Sequence, residues 1–287
     1  MLATGSEPVQ LCVGDVGGMR AVNNTDDQLQ DGRLTQGKQV TVQLTDKGTS
    51  PVSYAAAVYT VGAYDSEKEL SPLTPATVQY FPTGSEIKAY AYYPHDAGDT
   101  FTVAANQDQT ADGIANYKAS DLMYATKDAL TRGEANTLEF HHKMSKIVVV
   151  LKAGDGFSDT NLASATVTLG TTTAGEGIIT KATFDKATGT VTKGTNEEQM
   201  TLTTAAGADV KNAAIVVPQS MAGKKVNVTV EGFGTQTYVI AGGTTFDPET
   251  EYTYTITVMK KALSVTATIS NWSETDDAET TEIGIWQ

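Results

Sequence analysis

The chain has 287 residues, 40 % of them apolar, and its 34 acidic against 20 basic side chains give a net charge of −14. That length suits two units of about 100–150 residues, each able to bury a core, and excludes wholesale disorder. An acidic chain with scattered Lys and Arg excludes a nucleic-acid backbone or an anionic membrane surface as partner.

Cys12 is the single cysteine, so no intrachain disulfide forms and stability must come from packing and sheet hydrogen bonds. Leu11 directly precedes it, and Ser6-Glu7-Pro8 stands where a lipoprotein signal would need an apolar core, so Cys12 reads as a strand residue rather than a lipid anchor. No stretch approaches the roughly 20 apolar residues of a membrane helix. The Met1 end lacks a basic-plus-apolar signal, so an exported form would have shed its targeting segment.

In chain order, Val9, Leu11 and Val13 alternate with polar or small residues and predict a strand over 7–13 with one buried face. A glycine-rich, accessible segment over 14–21 and a polar stretch over 23–31 follow, so this strand is tethered loosely to the rest. Further strands are predicted around Val40–Leu44 alternation, around Ala57 and Tyr59, and over 87–93, where Pro94 stops the run. A short strand over 101–103 precedes a polar loop over 106–116, and a fragment over 120–125 precedes a charged connection. Leu138, Phe140, His142 and Met144 share a face, and 146–151 is apolar on both faces, as in a central strand. A first unit over 1–137, carrying a removable first strand within 1–20, and a second over 138–287 are therefore expected.

The second unit reads as strands over 163–169, 182–184, 199–202, 213–217, 226–230, 237–240, 252–258 and 263–269, with Gly, Asn and Asp between them. Strands at 10–15-residue spacing and no helix of more than two turns are the signature of all-β Greek-key sandwiches. An acidic, Thr-rich linker leads to a last short strand with Ile283, Ile285 and Trp286, free to pair with its own sheet or with another chain's.

Residues for chemistry are scarce. The three histidines are His95, His141 and His142, and the adjacent pair points to opposite faces of a strand, so it cannot chelate one ion; no metal and no cofactor is expected. There is no Gly-x-Ser-x-Gly elbow, no phosphate-cradling glycine loop between strand and helix, and no Asp-x-Asp-x-Asp-Gly calcium loop. The chain reads as a non-enzyme.

The run Ser120-Asp121-Leu122-Met123-Tyr124-Ala125, then Leu138-x-Phe140-x-His142-x-x-Ser145-Lys146-Ile147-Val148-Val149, resembles the fimbrillin-like (Mfa-like, type V pilin) family of anaerobic Gram-negative bacteria. Ile215-Val216-Val217-Pro218-Gln219, Tyr252-x-Tyr254-x-Ile256-x-Val258 and Leu263-x-Val265-x-Ala267-x-Ile269-x-x-Trp272 agree with it in order. The resemblance implies two tandem transthyretin-like β-sandwich domains, a lipoprotein precursor with a lipid anchor, and assembly with other fimbrial subunits at the cell surface or outer membrane. It also implies that an arginine-specific protease removes the first strand and that a strand from the next subunit fills the groove. Arg20 followed by Ala21 matches that processing point, with Arg33 second. Val9, Leu11 and Val13 are then the removable strand, and Ile283, Ile285 and Trp286 the donor. The alternative is a monomeric surface lipoprotein that binds a glycan or a host protein.

Overall fold

The structure is a computed structural model that describes residues 7–14, 34–108, 110–205, 210–260, 262–271 and 279–283. The first half contributes β1 (Gln10–Val13), β2 (Gln39–Asp46), β3 (Ala57–Val61), β4 (Ser71–Pro75), β5 (Ile87–Tyr93), β6 (Thr100–Thr102), α1 (Ala111–Ala119), β7 (Met123–Lys127), β8 (Ala135–Leu138) and β9 (His141–His142). The all-β class expected from the alternating pattern is the class the chain forms.

Eight of these strands make one sheet in the order β8-β1-β4-β3-β2-β5-β7-β9. β8 and β9 lie at opposite ends of that order, yet only Glu139 and Phe140 separate them in the chain. The sheet must therefore curl until its ends meet, and the curl encloses a core of Val9, Leu11, Val13, Val40, Tyr59, Phe81, Leu138 and Phe140, among others. In β2 the period-2 alternation works as expected, with Val40, Val42 and Leu44 directed into this core.

The second half is centred on β10 (Ser145–Ala153), whose run from Ile147 to Leu151 is buried on both faces. Further on come α2 (Asp159–Ala163), β11 (Thr166–Leu169), β12 (Lys181–Asp185), β13 (Thr190–Lys193), β14 (Met200–Thr201), β15 (Thr203–Ala205), β16 (Val210–Val216), β17 (Lys225–Val230), β18 (Gly234–Val239), β19 (Thr250–Met259), β20 (Ala262–Asn271) and β21 (Glu279–Ile283). One sheet runs β15-β16-β10-β19-β20-β21 and a second β14-β11-β17-β18. β10 lies between β16, antiparallel, and β19, parallel, which is why its sequence is a continuous apolar run. The facing sheets enclose Ile147, Val149, Val167, Val228, Tyr254 and Ile256 in a second core.

The stretch between β5 and β7 departs from the sequence reading. Phe101, Val103, Tyr117 and Leu122 belong to the second core, and β6 joins β12 and β13 in a three-stranded sheet. The residues expected as a polar loop over 106–116 include most of α1. Thr110 caps this helix by accepting a hydrogen bond from Gly113 N, and a Cβ at Gly113 would lie 2.6 Å from Asp108 N. Of the positions of α1 whose burial is described, Gly113 and Tyr117 are buried, and the segment's sequence carries little apolar periodicity to read. Gln107, fully buried, locks this excursion to β16: its side chain donates to Ile215 O and accepts from Ile215 N, both at 2.9 Å.

Candidate functional site

β1 is an interior strand. It pairs antiparallel with β4, with Leu11 opposite Leu73, and parallel with β8, with Leu11 opposite Asn136. Ahead of it, Val9 N donates to Gln79 O at 2.8 Å and Phe81 N to Glu7 O at 3.0 Å, so the chain is engaged from Glu7 onward. Val9, Leu11 and Val13 are 4 %, 3 % and 2 % exposed and face the first core. Each contributes about 1.5–3 kcal/mol by burial. Cys12 points to the opposite face, buried, with Sγ 3.4 Å from Thr137 Oγ1. A cavity of about 520 Å³ opens along the strand, lined on one side by Val9, Leu11 and Cys12 and on the other by Leu70, Pro72 and Leu73.

Two polar side chains hold β1 from the flank. Asn136 donates to Gln10 O at 3.3 Å and, through the same nitrogen, to Thr131 O at 2.9 Å, while its oxygen accepts from Thr131 N at 2.7 Å. Arg132 reaches Glu7 Oε2 at 3.6 Å, donates to the carbonyls of Pro82 and Ser85, and stacks its guanidinium 4.6 Å from the centre of the Phe81 ring. Sequence reasoning found neither residue. The available signal was the charge pattern alone, Glu7 at the strand's entrance and Arg132 in the charged connection before Leu138.

The C-terminal strand β21 pairs antiparallel with β20, Ile283 opposite Val265, at the edge of the six-stranded sheet of its own chain. Arg20, Ala21, Ile285 and Trp286 lie outside the described residues. Arginine occurs three times in the sequence, at Arg20, Arg33 and Arg132, and Arg132 is tied down by the contacts above. His141 and His142 diverge as expected. His141 is exposed beside Glu249, whereas His142 is buried with Nδ1 2.7 Å from Asp121 Oδ1, a partner the sequence reading did not identify. Among the described residues, no group of three or more His, Cys, Asp or Glu side chains could hold a metal ion.

A family model described as Fimbrillin-like matches residues 20–272. The chain belongs to the fimbrillin-like family. The family is one of structural fimbrial subunits and cell-adhesion proteins of the cell surface, and not of enzymes. This fimbrillin-like chain is 30 % identical over 226 residues to a protein of Bacteroides uniformis named "Putative fimbrium subunit Fim1C", a match spanning 70 % of this chain and 68 % of that one. Among solved structures, a Bacteroides uniformis protein described as a "putative cell adhesion protein" superposes with a TM-score of 0.69 at 25 % identity, covering 92 % of this chain and 98 % of that one. One from Bacteroides ovatus superposes at 0.66 with 19 % identity, covering 94 % and 99 %, and shares the fold.

Proposed function

We propose that this fimbrillin-like chain is a structural subunit or adhesin of a surface fimbria that joins other fimbrial subunits by protease-triggered donor-strand exchange. The observation that carries this reading is the interior position of β1. Its departure would withdraw three aliphatic side chains from the first core, uncover the apolar residues they pack against, and leave the facing edges of β4 and β8 without that partner, a groove that favours refilling by another strand. Cleavage after Arg20 would sever β1 from the body through the glycine-rich segment that follows it. The donor is the strand ending in Ile283, Ile285 and Trp286. In this reading the precursor is a lipoprotein anchored in the outer membrane, and the chain divides into tandem transthyretin-like domains at about residue 138.

The docking of β21 on its own sheet supports a variant of the same reading, in which the chain accepts a strand but keeps its own, as a tip or anchor subunit would. Treatment of the purified chain with an arginine-specific protease tests the mechanism. Selective cleavage after Arg20 followed by SDS-resistant ladders is the expected result, and cleavage without ladders refutes strand donation between copies of this chain. Deletion of residues 282–287 separates the variants: loss of ladders assigns the donor role to those residues, and unchanged ladders show that the tail stays home.

A further inference from the structure

The slot that β1 occupies has a cation at its entrance as well as an apolar face. Arg132 is fixed by three partners that stay with the body of the molecule, the Phe81 ring and the carbonyls of Pro82 and Ser85. Its fourth partner, Glu7, belongs to the segment that leaves. Glu7 stands two residues before Val9, the first of the alternating buried positions, so the slot reads an acid and then three apolar side chains: Glu7-x-Val9-x-Leu11-x-Val13. The end of the same chain repeats the phase, Glu279-x-Thr281-x-Ile283-x-Ile285.

We propose that Arg132 sets the register of the strand that fills the β1 slot, pairing with Glu279 of a second copy of this chain in the place Glu7 occupies here. The inference rests on the strand-exchange reading and adds to it the residue pair that selects one alignment. Entering in the direction of β1, the strand then sets Thr281, Ile283 and Ile285 at the positions of Val9, Leu11 and Val13. Asn136, which grips a backbone carbonyl of β1, serves any sequence equally and cannot select. The competing acid, Glu282, would bring Gly284 and Trp286 to the positions of Val9 and Leu11, emptying one site and overfilling the next. Glu7 and Arg132 are about one-third exposed, so their pairing is modest and screened by salt. Its role is to separate registers that hydrophobic burial alone would leave closer in energy.

The test measures ladder formation by the full chain after arginine-specific cleavage. Glu279→Lys is expected to slow assembly by about threefold to tenfold at low salt, with a smaller effect at high salt, while Glu282→Lys changes it little. Arg132→Glu acceptors are expected to regain assembly with Glu279→Lys donors. Should Arg132→Glu fail to fold, synthetic peptides of residues 7–13 keep the test open: the native peptide should block wild-type ladders at about threefold to tenfold lower concentration than its Glu7→Lys counterpart. Assembly indifferent to the charge at 279, or equal potency of the two peptides, overturns the role of Arg132 and leaves strand exchange standing. No ladder from cleaved wild type overturns both the register and donation by this tail.

Discussion

Asp46 closes β2 by accepting hydrogen bonds from Gly48 N and Val52 N, both at 2.8 Å. The Ser85 hydroxyl, then the Val52 amide, hold its carboxyl below the usual carboxylate value. A depressed folded value means that Asp46 adds stability above the unfolded value near 3.9, which is lost as pH falls through the folded value. Asp46→Asn should therefore lower the thermal midpoint at neutral pH, and the gap from wild type should close below about pH 4. A gap independent of pH would exclude the carboxylate as its source. The buried pair of His142 and Asp121 makes a second residue-scale case. Removing one partner strands a polar group away from water, so Asp121→Ala should cost about 2–4 kcal/mol in urea unfolding. A loss under 1 kcal/mol would show that His142 finds other support about as good.

At the scale of elements, the single cysteine lies in the single strand whose departure matters most. Cys12 is buried in the intact chain, so a maleimide probe should label it slowly, at a rate limited by opening of β1. Leu11→Ala should cost about 2–4 kcal/mol and accelerate labelling, because it removes a core side chain from β1 without touching β4 or β8. Equal labelling rates in the two proteins would mean that the thiol is reached without strand departure. The short length of β1 matters here: four residues held between two partner strands are few enough to open as one unit.

On the scale of the whole molecule, the excursion from β5 to β7 makes the two cores interdependent. Tyr92, Phe101 and Tyr124 come from the first half of the chain and pack in the second core, with Phe184 edge-on to Tyr92 at 5.7 Å. An ion pair bridges the halves as well, Lys186 to Asp99 at 3.0 Å. The molecule should accordingly unfold in one calorimetric transition. Gln107→Ala should lower its midpoint, by leaving the amide and carbonyl of Ile215 buried without their partner. Two well-separated transitions in the wild-type chain would refute this coupling.

Alternation at Val9, Leu11 and Val13, the doubly apolar run of β10 and the turn-rich spacing were enough to determine the all-β class and the position of the first strand, because burial on one sheet face is written locally with a period of two. The motifs around Leu138–Val149 and the last strands were enough to indicate the family. Helix α1 was illegible for the complementary reason: a nine-residue helix of mostly small and polar residues has little periodicity to display. Only the tertiary structure decided that β1 is interior, that its parallel neighbour is β8 more than a hundred residues away, and that Arg132 meets Glu7 at its entrance. Strand order, long-range register and ion-pair partners depend on which segments meet in space, and a local pattern that says which face is buried does not say against what.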